Sequence, residues 1–126
     1  MLNGFTPMAT LPTSDLERAR AFYEGLGFTA ADEETPGGVM FTAGEGGFLV
    51  YSSEFAGTNK ATAMGFMVPG DAFDDAVAKL REHGVSFDTF EMEGAEWDGD
   101  VLVWESMRNV WFRDPDDNII SVGTMG

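Results

Sequence analysis

The 126-residue chain carries the same pattern twice, and that duplication constrains its fold more than any local motif does. Pro12 recurs as Pro69, Asp15 as Asp71 and Gly27 as Gly84, at offsets of 57, 56 and 57 residues. Around each set the signals run in the same order: a strand-like stretch, a proline, an acidic helix start, an amphipathic stretch, then a glycine that opens another strand. Repetition on this scale implies one supersecondary unit used twice, and it settles architecture before any single element is assigned.

The first helix is predicted to start at Ser14, with Glu17 three residues on completing a capping box and Asp15 at the positive end of the dipole. Leu16, Ala19, Phe22, Tyr23 and Leu26 follow at helical spacing as its apolar face, and Gly27 stops it in left-handed geometry. Phe73, Ala76, Val77 and Leu80 trace the corresponding stripe of the second helix, with Asp74, Asp75, Lys79, Arg81 and Glu82 towards water and Gly84 as the stop. Strands are expected over 5–11, 28–33, 39–43 and 48–53, and again over 62–68, 85–91, 109–113 and 118–123. The fold class that follows is α+β: two βαβββ modules whose curved, antiparallel-rich mixed sheets surround a cup, with the helices outside. Residues 1–126 are read as a single domain, with module one over 1–55, a linker over 54–61 and module two over 62–126. At 44% hydrophobic and 13% aromatic residues the chain can supply such a core, and it is too short for a second full domain.

One segment interrupts the duplication. Residues 92–108 are too long for a hairpin turn and hold Glu93, Glu96, Trp97, Asp98, Asp100, Trp104 and Glu105. They are read either as a lid or as a solvated acidic loop with Val101-Leu102-Val103 as an added edge strand; the two tryptophans favour the lid.

Charge narrows the function classes. Seven basic against 22 acidic residues leave a net charge of -15, the acids are spread along the chain, and Lys60 and Lys79 are the only lysines. Such a surface repels phosphate backbones and anionic lipid, so neither a nucleic acid nor a membrane is expected as a partner. The absence of cysteine excludes disulfides, thiolate metal sites and thiol nucleophiles. The residues from Met1 to Phe5 show no basic leader and no apolar run approaches a membrane span, so a cytoplasmic location is expected.

The run Leu11-Pro12-Thr13-Ser14-Asp15-Leu16-Glu17-Arg18-Ala19-Arg20-Ala21-Phe22-Tyr23, followed by Leu26-Gly27-Phe28, resembles the first-module signature of the vicinal oxygen chelate superfamily. So does the closing Phe112-Arg113-Asp114-Pro115-Asp116-Asp117-Asn118-Ile119-Ile120. That superfamily includes glyoxalase I, extradiol dioxygenases, fosfomycin-modifying enzymes and the bleomycin-binding resistance proteins. The resemblance implies paired βαβββ modules, a homodimer and, in the enzymes, a divalent metal held by histidine, glutamate or glutamine inside the cup. It places those ligand positions at Met8, Ala63 and Ser121, with a fourth near Leu49 to Ser52 that offers Tyr51 and serines, Glu54 lying just beyond. None of the first three is a metal-binding side chain.

Other chemistry is equally scarce. His83, the only histidine, falls in the last turn of the second helix, where it complements the dipole and faces water. Asp114-Pro115-Asp116-Asp117-Asn118 has Ile119 and Met125 where a calcium loop needs glycine and glutamate, and is read as a turn. No phosphate-cradling loop and no serine with a histidine base is present. No catalytic residue, metal or cofactor is therefore assigned.

What remains is a cup with apolar walls. If the ligand positions mark its inner face, alternation points Thr6, Met8 and Thr10, then Ala63, Gly65 and Met67, then Ile119, Ser121 and Gly123 inward, while Phe41, Tyr51, Trp97, Trp104 and Trp111 line or close it. Met8, Thr10, Phe41, Tyr51, Met67, Trp97, Trp104, Trp111 and Ser121 are the candidate ligand-binding residues; the competing reading is that they pack against one another or across a dimer interface. The function expected is metal-free binding that sequesters a small hydrophobic or aromatic compound, a cationic one being favoured by the negative field. The alternatives are a metal-dependent lyase, isomerase or dioxygenase built on carboxylates such as Glu54, Glu91 or Glu105, and an interaction protein whose sheet faces are consumed by dimerisation.

Overall fold

A computed structural model of the chain describes residues 2–32, 35–58 and 60–124. A 3-10 turn at Leu2–Gly4 precedes β1 (Pro7–Thr13), α1 (Leu16–Gly25), β2 (Thr29–Ala30), β3 (Gly38–Ala43), β4 (Gly46–Ser52), β5 (Thr62–Met67), α2 (Gly70–Glu82), β6 (Glu96–Asp98), β7 (Val101–Trp104), β8 (Met107–Arg113) and β9 (Ile119–Gly123). The fold is α+β with a mixed arrangement of strands, as expected. The chain divides into two compact units, residues 8–64 and residues 1–7 with 65–126, hereafter the first and second unit.

In the first unit the strand order is β2-β3-β4-β1. The β3–β4 hairpin turns through Gly44-Glu45 and sets Phe41 opposite Phe48, while β1 runs parallel to β4 with Thr10 opposite Leu49. A Cβ on Gly47 would meet the Phe41 carbonyl oxygen at 2.4 Å, so the hairpin closes there around a hydrogen. Helix α1 covers one face of these strands: Leu16, Ala19 and Tyr23 join Phe28, Ala30 and Phe48 around the buried Val39, Phe41 and Val50. Its stripe is narrower than expected, because Phe22 and Leu26 stay 60% and 63% exposed. The cap also differs. Asp15, with the extended backbone of an N-cap (φ -148°, ψ 99°), accepts the Arg18 amide, whereas Ser14 accepts from the Arg18 guanidinium. Gly27 does end the helix in left-handed geometry, at φ +100°. Strand β2 has only two residues, and Glu33, the expected end of that strand, lies outside the described residues.

In the second unit the order is β5-β9-β8-β7-β6. Helix α2 buries Phe73, Ala76, Val77 and Leu80, the four residues of the expected stripe. Arg108 of β8 grips it at three points: its guanidinium lies 4.7 Å from the centroid of the Phe73 ring, 2.9 Å from the Asp74 carboxylate, and donates to the Gly70 carbonyl at 3.0 Å.

The strand expected over 85–91 does not form. Strand β8 is paired with β9 over 109–113 and with β7 over 107–109, so only the short stretch of its edge beyond β7 is open to an extra strand. Only beyond the end of β7 is an acceptor reached, where the Asp88 amide donates to the Trp111 carbonyl at 2.8 Å. Arg113 pairs with Asp88 at 2.8 Å and Phe87 meets Phe112 edge-on, so the segment is held by side chains.

Residues 96–98 and 101–104 of the 92–108 segment are paired strands. They form the antiparallel pairs β6–β7 and β7–β8, turning at Gly99-Asp100 and Glu105-Ser106, with Gly99 and Glu105 at φ +65° and +55°. The edge-strand alternative at Val101 to Val103 is the one realised, extended by a further strand. The closing acidic run is a turn: the Asp114 carboxylate accepts from the Asn118 side chain and amide and from the Asp116 amide, bonds that hold its carboxyl below the usual carboxylate range. Met125, the last position of the rejected calcium loop, lies outside the described residues.

Because Phe73 is 1% exposed under Arg108 whereas the Asp74 side chain is 88% exposed, Phe73→Ala should cost about 3–5 kcal/mol of unfolding free energy and Asp74→Ala less than about 1 kcal/mol. Chemical denaturation of the two variants measures the difference.

Candidate functional site

Strand alternation leaves each unit one sheet face that its helix does not cover. In the first unit Val39, Phe41 and Val50 face α1, so the register pairs Met40–Leu49, Thr10–Leu49, Gly38–Tyr51 and Pro12–Tyr51 lie on the opposite face. Thr10 and Tyr51 are brought together there. The buried Thr10 hydroxyl donates to the Thr62 carbonyl at 2.8 Å and the Tyr51 hydroxyl donates to the same oxygen at 3.2 Å. Burial pushes the Tyr51 phenol above its ordinary range, with the Thr62 hydrogen bonds acting in the opposite direction. Met8 shares this alternation and is half-buried, whereas Thr6 and Ala63 are exposed.

Phe41 is a correction. It does not line this face but sits 1% exposed beneath α1, 5.4 Å from Tyr23 and stacked on Phe48. Two phases of alternation were open to β3, and the aromatic stripe of α1 takes up the one that contains Phe41.

In the second unit Arg108, Val110 and Phe112 belong to the face that meets α2 and Phe87, so Asn109 and Trp111 lie on the other face of β8. The register adds Ser121 opposite Trp111, Leu102 opposite Asn109, Trp97 opposite Leu102 and Trp104 opposite Met107. Four candidate residues, Trp97, Trp104, Trp111 and Ser121, therefore share one face. The Trp97 and Trp111 rings are 6.4 Å apart. Gly123 lets the Asn109 side chain lie close over β9, where a Cβ would displace that amide. Met67 is 37% exposed at the end of β5.

Two shallow depressions open to solvent, each about 440 Å³ and each within one unit, are found among the described residues. One is lined by Thr13, Ser14, Ser52, Ser53 and Glu54, the other by Phe90, Glu91, Met92, Glu93 and Trp97. Apart from Trp97, none of these residues was among the candidate ligand-binding residues; Glu54 and Glu91 were carboxylates of the enzymatic alternative. Phe90 escaped because its strand-like alternation hid an irregular segment; the Gly99-Asp100 dipeptide, a hairpin turn signal with glycine first, would have shown that Trp97 folds back in a strand.

The donor set does not fit a divalent metal. Methionine, alanine and serine stand at Met8, Ala63 and Ser121, and among the described residues no three histidine, cysteine or acidic side chains are grouped so as to hold an ion. Glu54, Glu91 and Glu105, the carboxylates of the enzymatic alternative, are all exposed. His83 is the exposed C-cap of α2. Among the described residues no helix is long and apolar enough to cross a membrane.

The family model described as Glyoxalase/Bleomycin resistance protein/Dioxygenase superfamily matches residues 6–122. Among solved structures the fold is similar to a member of that superfamily from Vibrio splendidus 12B01, with TM-score 0.54, 12% identity, and 96% of this chain and 99% of that one covered. It is also similar to a Legionella pneumophila protein described as NAD-dependent benzaldehyde dehydrogenase, with TM-score 0.64, 15% identity and 96% and 100% covered. A hypothetical protein from Bacillus halodurans C-125 gives TM-score 0.57 at 12% identity, with 96% of each chain covered. At these identities the likeness concerns the fold. No match was found among curated proteins.

The buried phenol yields a signed prediction. In an alkaline absorbance titration Tyr51→Phe should remove a step above the ordinary tyrosine range. Since the folded-state value is raised, the stability Tyr51 contributes is complete below the ordinary tyrosine value and is lost as pH rises through the folded one. The difference in denaturation midpoint between the two proteins should therefore narrow on the alkaline side.

Proposed function

The chain belongs to the glyoxalase/bleomycin resistance protein/dioxygenase superfamily, and from that premise we propose that it is a metal-free binding protein that sequesters a small hydrophobic or aromatic compound. The observation that carries this is the chemistry at the expected ligand positions. The resemblance puts Met8, Ala63 and Ser121 at the positions where enzymes of the superfamily hold a metal, and Met8 and Ser121 lie on strands whose uncovered faces are apolar and aromatic. Methionine and indole surfaces accept flat apolar ligands, with Ser121 supplying a hydroxyl to orient them and the Thr10 and Tyr51 hydroxyls, which donate to the Thr62 carbonyl, keeping lone pairs to accept.

The proposed binding residues are Met8, Thr10 and Tyr51 of the first unit and Met67, Trp97, Trp104, Trp111 and Ser121 of the second, with the two units taken as one domain over 1–126. A homodimer and a cytoplasmic location complete the proposal. With a net charge of -15, cationic aromatics are favoured over anionic ones.

Tryptophan fluorescence titrated with a panel of neutral and cationic aromatic compounds tests it. Saturable quenching or a spectral shift by at least one compound is expected, together with substoichiometric metal in protein purified without chelator and dialysed. A panel without any saturable response, or stoichiometric iron, manganese, nickel or zinc, overturns the proposal.

A further inference from the structure

The depression at the start of β6 combines features that the sheet faces do not. The chain leaves its bond to Trp111 at Asp88, turns through Gly94 at φ +81° with the Ala95 amide donating to the Met92 carbonyl, and returns along β6, which brings Trp97 back over Phe90. Phe90 meets the Trp97 ring at 5.4 Å and the Trp111 ring at 4.9 Å, both edge-to-face, yet keeps 45% of its surface exposed, and Met92 keeps 36%. An aromatic and thioether floor thus remains open to a ligand. Glu91 and Glu93 flank it, and among the described residues neither takes part in an ion pair, although most of the chain's basic side chains do.

The chemistry selects one ligand class. A neutral apolar group seated here would strip water from two carboxylates without compensating them. A hard cation such as calcium requires a shell of oxygens, and the floor supplies rings and a sulfur. A weakly hydrated organic ammonium satisfies both halves, its alkyl groups resting on the ring faces while its charge is balanced by the glutamates. We propose that Phe90, Trp97, Glu91 and Glu93 form a recognition site for an alkylated ammonium group. The proposal rests on the reading of the chain as a small-molecule binder and deepens it by stating where, and by which groups, a cationic ligand is held.

Benzyltrimethylammonium and benzyl alcohol, which share a ring and differ in charge, are the probes. They are titrated at fixed ionic strength and followed by tryptophan fluorescence and by the indole N–H signals, with Trp97 assigned from Trp97→Phe. The cation should bind about tenfold more tightly than the alcohol and shift the Trp97 indole signal. Glu91→Gln with Glu93→Gln should remove most of that preference while leaving the alcohol's binding unchanged. Glu17→Gln with Glu45→Gln, which alters total charge by the same amount elsewhere, should have no effect. All the exchanged carboxylates are exposed, and an unchanged melting temperature confirms that each variant is folded. Equal affinity for the two probes, or a cation affinity indifferent to the Glu91 and Glu93 exchange, overturns the ammonium site; if other panel compounds still saturate, the binding function survives. Absence of saturation by every compound overturns both.

Discussion

Burial of each helix's apolar stripe against one face of its own strands is the constraint from which the other features follow. A strand shows alternate side chains to opposite faces, so once one phase is committed to the helix the other phase is left for something else. In the first unit Tyr23, packed against Phe41 and Phe48, commits that phase, and Thr10, Leu49 and Tyr51 are placed on the remaining face. In the second unit Arg108 and Phe112 point towards α2 and Phe87, which leaves Trp111, Ser121, Leu102 and Trp97 sharing the other face. The face proposed to bind a ligand is thus the complement of the face that packs on the helix.

Charge acts on a second level. Arg81 clasps Asp100, Arg108 clasps Asp74 and Arg113 clasps Asp88, each joining segments distant in sequence. As pairs at the surface they contribute modestly to stability. Their greater consequence is that with 22 acidic residues and seven basic ones, most carboxylates have no internal partner. The protein therefore presents an acidic exterior that also carries exposed aromatic side chains, among them Phe22, Phe55 and Phe90, the last of them beside Trp97, Glu91 and Glu93. A ligand that is both apolar and positively charged meets both properties at once.

Much of the fold was legible because it rests on periodicity and on residues with singular conformational needs. The α2 stripe was correct to the residue, Gly27 and Gly84 do adopt positive φ, and the Asp114 to Asn118 run is a turn held by its own side chains. The errors arose where two candidates satisfied the same local rule. Ser14 and Asp15 are both good caps, and only the extended backbone at Asp15 selects its carboxylate. Residues 85–91 alternate like a strand, but β7 takes residues 107–109 of the β8 edge, and on the short stretch left the segment makes the single bond from Asp88 to Trp111. Phe22 and Leu26 satisfy helical spacing yet lie beyond the width of sheet that α1 covers.

The sequence by itself determined the duplicated pattern, the α2 stripe, the superfamily and the identity of the residues at Met8, Ala63 and Ser121, because each of these is a matter of spacing or of chemical identity along the chain. Tertiary structure alone decided which phase of β3 faces inward, that residues 92–108 pair as strands, and that Phe90 meets Trp97 beside two unpaired glutamates. Those outcomes depend on which hydrogen-bonding edges and which faces are already taken by segments far away in sequence, and competition for them is invisible to any local rule.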